Sequence, residues 1–338
     1  MNHGGNIYRF AERLGYQLED ILDFSANINP EQAVDPGLIQ TGSLQPYADP
    51  NYTALKQSLK SRYPHPAGVD MEVFNGASAA IFALLRWLKP NDLVLYTPLY
   101  VEYAQIAIQL GCKLHNIDRF GSLTAAIPKN STVIFVNPAT PDGQLYTMQD
   151  LLKQWQEVGC TIIVDESFLD FCIADSVAGH IASYDKLYVI KSLSKFYGCA
   201  GIRIGFVLAA AYVINELKRF EPAWKLSSFD MAYIQQALAN TAFIEQTQQQ
   251  TTYRRELLNK ALQASNLFER IYPGQANFLL TKLRNNGDGH ALQEQIASAK
   301  ILIRVCDNFT GLNESHVRFA VKDETAIERL AQQLKEVR

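Results

Sequence analysis

Cysteine is scarce in this chain: Cys112, Cys160, Cys172, Cys199 and Cys306 are scattered over 338 residues, and no two form a Cys-x-x-Cys pair. The sequence therefore offers neither a zinc-ligand cluster nor a disulfide framework, and the odd number suits reduced thiols in a cytoplasm. A surplus of either charge is also missing. Lys and Arg number 31 against 34 for Asp and Glu, with no dense basic cluster, which argues against nucleic acid as a partner. No stretch approaches the roughly 20 consecutive apolar residues that a membrane helix requires. The opening, Met1-Asn2-His3-Gly4-Gly5-Asn6, lacks a basic segment followed by an apolar run, so no secretory signal is expected. Together these absences predict a soluble cytoplasmic protein without a metal site.

What is present is core material. Hydrophobic residues make up 48% of the chain, enough for one large α/β domain or two moderate ones. The stretch that carries most chemical information runs from Val189 to Phe206. It starts as a β-branched strand, Val189-Ile190, passes through Ser192-Leu193-Ser194-Lys195, and closes with Gly198, Gly201, Arg203 and Gly205. Ser-x-Ser-Lys alone reads as a solvated loop. Followed by Gly-x-Arg-x-Gly, it suits a lysine that condenses with the aldehyde of pyridoxal phosphate, with hydroxyls and a guanidinium to hold the phosphate. The glycines allow tight turns and close backbone approach.

From Leu93 to Leu208, short apolar runs alternate with amphipathic stretches, the pattern of βαβ units in a mostly parallel sheet covered on both faces. Ligands gather at the carboxyl ends of strands in such sheets. Those ends are polar or aromatic here: Thr97-Pro98-Leu99-Tyr100, Asn137-Pro138-Ala139-Thr140, Asp165-Glu166-Ser167-Phe168 and Ser192-Leu193-Ser194-Lys195. Asp165 ends an apolar run, where a carboxylate has little freedom. Such a group beside a pyridine nitrogen keeps it protonated, although a helix N-cap explains the residue equally well. Gly76-Ala77-Ser78 opens an apolar helix whose free N–H groups form a ready anion site.

Past a long helical region ending near Ala264, the character changes to strands at Phe278-Leu279-Leu280, Ile301 to Val305 and Val317 to Val321. We expect a large domain over 41–264 and a smaller α+β domain from 1–40 and 265–338. Arg304 and Arg318 interrupt two of these strands. A charge there is costly unless it meets an anion, and the pair points to a doubly anionic ligand.

These motifs resemble the fold type I pyridoxal-phosphate enzymes. His3-Gly4-Gly5-Asn6, with Leu22 to Pro30, is similar to the N-terminal signature of the L-threonine-O-3-phosphate decarboxylases of cobalamin biosynthesis. The histidinol-phosphate aminotransferases share the lysine and ring-binding motifs. The resemblance covers essentially the whole chain and implies a seven-stranded, mostly parallel sheet plus a smaller α+β domain. It implies Lys195 as the Schiff-base lysine, Asp165 as the pyridinium partner and Tyr100 as the residue stacked on the ring. Ser192, Ser194, Arg203 and the backbone of Ala77 and Ser78 would hold the cofactor phosphate, and Tyr47 would reach a cofactor phosphate across a homodimer interface. His3, Asn27 and Arg304 match substrate-phosphate contacts, and Arg318 matches the arginine of the α-carboxylate region. Two departures stand out. Ala139-Thr140 replaces the usual Asn-Asn, which puts Thr140 where an asparagine meets the ring hydroxyl, and Trp224-Lys225-Leu226-Ser227 replaces Trp-Ser-Val-Asn. Three readings follow for a small phosphorylated amino acid as substrate: decarboxylation, amino-group transfer, and a non-catalytic binding module that retains the fold.

Overall fold

The computed structural model describes residues 6–42 and 44–337. The chain opens with α1 (Ile7–Leu14), β1 (Leu22–Asp23) and α2 (Thr53–Arg62). It continues through β2 (Val69–Asn75), α3 (Gly76–Leu88), β3 (Asp92–Thr97), α4 (Glu102–Gln109), β4 (Lys113–Asp118) and β5 (Thr132–Val136). Next come α5 (Gln149–Glu157), β6 (Thr161–Asp165), β7 (Leu187–Ser192) and β8 (Ile204–Ala210). Three helices follow, α6 (Ala211–Arg219), α7 (Ser228–Ala239) and α8 (Thr241–Ala264). The chain ends with β9 (Phe268–Ile271), β10 (Phe278–Leu283), α9 (Gly289–Ala297), β11 (Ile301–Leu302), β12 (Arg304–Val305), β13 (His316–Ala320) and α10 (Glu324–Glu336).

Seven strands form one sheet in the order β2-β8-β7-β6-β5-β3-β4. Neighbouring pairs are parallel except at β8, which runs antiparallel to both β2 and β7. The expected fold is therefore the observed one: an α/β, fold type I architecture with a mainly parallel seven-stranded sheet. Alternation along each strand supplies two cores. Val94, Phe135, Val164 and Val189 face one side of the sheet, and Leu95, Ile134, Ile163 and Ile190 face the other. Burying both faces explains why these strands read as continuous apolar runs. No strand was expected over β2, because Asp70, Glu72 and Asn75 break its apolar pattern.

The second sheet has the order β12-β13-β10-β9 and is antiparallel throughout. The expected single strand over 301–305 is split. Ile301 and Leu302 pair with β1, while Arg304 and Val305 pair with β13. Ile303 sits between the two and donates its N–H to Gln293 Oε1 at 2.7 Å. Phe24, next to β1, is fully buried with Phe319, Leu330 and Leu258 of α8 in a third core. Among the described residues no helix is long and apolar enough to cross a membrane, and no group of metal-binding side chains occurs.

Candidate active site

A cavity of about 300 Å³ opens at the carboxyl ends of β5 and β6, where Lys195, Asp165 and Tyr100 meet Arg304 and Arg318 of the second sheet. Lys195 lies in the turn after β7. Its Nζ donates to Ser192 Oγ at 3.2 Å and stands 5.3 Å from the centre of the Phe168 ring. Burial pushes the amine below the ordinary lysine range, the Arg203 charge adds to this, and Asp165 opposes it. Such an amine gives up its proton more readily than an exposed lysine does, which a nucleophile toward an aldehyde needs.

Asp165 is the last residue of β6, buried, with both oxygens engaged. Tyr103 Oη donates to Oδ2 and the Ser167 N–H to Oδ1, each at 2.8 Å. Both partners are neutral donors. Burial and Asp165 push the Tyr103 phenol well up, so it stays a donor. Sequence reasoning missed Tyr103. The available signal was its place three residues after Tyr100, across the turn that leads into α4, where the two rings meet edge-on at 6.4 Å.

The anion-binding corner is built where α3 starts beside Arg203. Gly76 has φ +78°, and a Cβ there would collide with Arg203 Nη2. A Cβ on Gly205 would come within 2.5 Å of Ala77 N. The two glycines thus let β8 and the first turn of α3 close on one another, bringing free N–H groups of the helix start beside a guanidinium. Arg203 Nη1 donates to Ser194 Oγ at 3.1 Å and to the Ala200 carbonyl at 3.0 Å. Ser78 and Tyr100 line the same corner, and burial raises the Tyr100 phenol while the Ser78 hydroxyl works against that rise. Cation, hydroxyl and helix N–H groups together fit a phosphate dianion. Ser192 departs from its expected place: it does not line the cavity but receives the lysine.

On the opposite wall, β12 and β13 place Arg304 and Arg318 directly across from one another in register. Arg318 is buried. It donates to Thr140 Oγ1 and to the Ser25 carbonyl, each at 2.6 Å, and its Nε has no hydrogen-bond partner. Burial, helped by Arg304, pushes its guanidinium down to about 10, still charged at neutral pH. Arg304 is also buried and pushed down by burial, and its Nη2 donates to Asn308 Oδ1 at 2.5 Å. Asn27 lines the cavity with a buried Oδ1 that no donor satisfies. His3 lies outside the described residues. Tyr47 is not on the cavity: it is 79% exposed and stacks on Trp224 at 4.5 Å. Lys225, the other departure, is turned away into an ion pair with the buried Glu72 at 2.9 Å.

The model of the family Aminotransferase class I and II matches residues 2–334. The chain belongs to that family. Its cofactor is pyridoxal 5′-phosphate, which the buried lysine, buried carboxylate and anion corner fit. Among curated proteins, the chain is 29% identical to the threonine-phosphate decarboxylase of Salmonella typhimurium, over 99% of this chain and 96% of that one. It is also 29% identical to the adenosylcobalamin biosynthesis bifunctional protein CobDQ of Leptospira interrogans; there 95% of this chain matches, spanning 39% of the longer protein. Among solved structures, the histidinol-phosphate aminotransferase of Clostridium acetobutylicum aligns with a TM-score of 0.81 and 27% identity, over 93% of this chain and 98% of that one. Relatives within the family thus carry both reactions, decarboxylation and amino-group transfer.

Proposed function

We propose that the protein decarboxylates a phosphorylated α-amino acid, with L-threonine O-3-phosphate as substrate and (R)-1-aminopropan-2-yl phosphate and carbon dioxide as products. The observation that carries this reading is the Arg304–Arg318 pair. Two like charges opposite one another on the same small sheet repel, and both arginines line the cavity that Lys195 and Asp165 share. A ligand with two anionic groups relieves both at once. A carboxylate at Arg318 and a phosphate at Arg304 match the fork geometry of arginine.

Bound pyridoxal phosphate supplies an electron sink for a bond broken at the substrate Cα. Ser194, Arg203 and the N–H groups of Ala77 and Ser78 would hold its phosphate, Asp165 its ring nitrogen, Tyr100 its ring face and Lys195 its aldehyde carbon. Thr140 is already committed to Arg318, so its hydroxyl links the carboxylate-binding arginine to the ring side of the cavity. Grip on a remote phosphate by Arg304 and Asn27 orients the bonds at Cα, and that orientation selects the bond that breaks. Lys195 remains within the cavity to move a proton at the same carbon. We further propose a homodimer in which the exposed Tyr47 serves the partner's cavity.

The test is to supply the cofactor-loaded protein with L-threonine O-3-phosphate and no oxo acid. Carbon dioxide and the phosphorylated amine are expected in equal amounts, and Lys195→Ala abolishes both. The Clostridium structure favours the second reading, amino-group transfer. Its signature is glutamate formed from 2-oxoglutarate and histidinol phosphate, without carbon dioxide.

A further inference from the structure

Behind the strands that carry Asp165 and Lys195 lies a buried polar cluster that the proposed chemistry does not use. Alternation sends Asp165 to the Ile163 and Ile190 face of the sheet, while Glu166 and Lys191 fall on the Val164 and Val189 face. There Lys191 Nζ and Glu166 Oε2 form an ion pair at 2.9 Å, with side chains 4% and 1% exposed. The same carboxylate accepts from Ser176 Oγ at 2.7 Å and from the Val177 N–H at 2.8 Å. Lys191 Nζ sits 5.1 Å over the Tyr63 ring, and Tyr63 Oη donates to Asp170 at 2.7 Å. Every oxygen of the Glu166 carboxylate is therefore engaged.

Burying two charges costs more solvation than their pairing reliably returns, so an apolar pair of similar volume would stabilise this core at least as well. The location of the pair gives it another use. The Glu166 N–H extends the β6–β7 ladder by donating to the Ile190 carbonyl at 2.8 Å, and Asp165 is the register partner of Ile190. The ion pair thus ties together, from behind, the end of β6 that carries Asp165 and the end of β7 that leads into the turn of Lys195. The pocket wall at Phe168 is pinned on either side, by Glu166 and by Asp170.

We propose that Lys191 and Glu166 are positioning residues that fix Asp165 relative to Lys195. This rests on the reading of those two residues as the cofactor's partners. The pair also separates two lysines four residues apart. Glu166 and Asp170 hold Lys191 above the ordinary range against its burial, whereas Lys195 is pushed below it, so of the two Lys195 gives up its proton more readily.

The experiment uses protein loaded with pyridoxal phosphate, comparing the double variant Glu166→Leu/Lys191→Met with the charge-preserving Glu166→Asp. Thermal unfolding, the pH midpoint of the cofactor's visible absorbance, kcat and KM are measured for each. The double variant is expected to unfold no earlier than the parent. Its absorbance midpoint nevertheless moves, and its kcat falls by about 100-fold with a smaller change in KM, the loss that a misplacement of about 1 Å produces. Glu166→Asp, shorter by one methylene, moves both readouts in the same direction by less. A stable double variant with the parent's midpoint and kcat overturns the proposal. Should the double variant not fold, a folded Glu166→Asp with the parent's midpoint and kcat overturns it equally. Lys195→Ala, run alongside, separates the two levels: if it keeps the visible band, the reading of Lys195 fails, and the positioning proposal fails with it.

Discussion

The guanidinium of Arg318 donates to the Thr140 hydroxyl across 2.6 Å, joining β13 of the antiparallel sheet to the loop after β5 of the parallel one. A second bond of 2.6 Å to the Ser25 carbonyl brings in the segment after β1. One side chain thus locks three separate stretches of chain around the cavity. Thr140→Val keeps the shape and removes the acceptor, leaving a buried N–H of Arg318 unsatisfied. The expected cost is about 1–3 kcal/mol of unfolding free energy, read from denaturant midpoints, together with a higher KM for the amino acid. Thr140→Asn restores an acceptor and should recover much of the KM. A Thr140→Val protein with the parent's midpoint and KM would show that this bond does not hold the arginine.

Arg304 gives a sharper test of substrate class. If it binds the side-chain phosphate, Arg304→Met lowers kcat/KM for the phosphorylated amino acid by about 10- to 100-fold, the loss of a charge-assisted hydrogen bond of about 1.5–3 kcal/mol. The same substitution leaves the weak turnover of the unphosphorylated amino acid nearly unchanged. Equal losses for both substrates would assign Arg304 to the fold and not to the phosphate.

Much of the architecture was legible in the sequence because both faces of the large sheet are buried, which makes its strands continuous apolar runs with polar residues at their carboxyl ends. Lys195, Asp165, Arg203 and Arg318 were legible for the same reason: each is a charge placed where an apolar pattern stops or is broken. Contacts made by turning a side chain were not. Nothing in Ser192-Leu193-Ser194 says that one serine would receive Lys195 and the other Arg203. Neither does the alternation at Asp165-Glu166 reveal that the second carboxylate meets Lys191 across the sheet, because that pairing depends on β6–β7 register. The break between β11 and β12 was invisible too, since Ile303 is as apolar as its neighbours.

Lys195 predicts a pH dependence whose sign follows from its burial. Its folded-state pKa lies below the ordinary 10.5, so between the two values the unfolded chain binds a proton that the native chain does not. Stability of the cofactor-free protein therefore rises with pH through that window, up to 10.5, and is reduced by the buried charge below it. Lys195→Met removes this slope and raises stability at the low-pH side. Denaturant unfolding at several pH values measures it, and parallel curves for the variant and the parent would refute it. In the loaded protein, capture of the cofactor aldehyde extends to lower pH than with an exposed lysine, as an absorbance titration records.

The last prediction concerns Tyr47, whose ring is 79% exposed and stacked on Trp224, while Trp224 Nε1 donates to the Ala48 carbonyl at 3.1 Å. With Leu44, 71% exposed, this aromatic pair adds apolar area that water covers poorly. If Tyr47 serves the partner's cavity, Tyr47→Ala and Lys195→Ala chains are each impaired alone but complement one another. In a mixed dimer, the cavity of the Tyr47→Ala chain has its own Lys195 and receives Tyr47 from its partner. Random exchange makes half of the dimers mixed and roughly one site in four fully native. Activity of the equilibrated mixture should then exceed the sum of the two separate proteins. Strict additivity, in a mixture shown by light scattering to be dimeric and exchanging, would confine Tyr47 to its own chain.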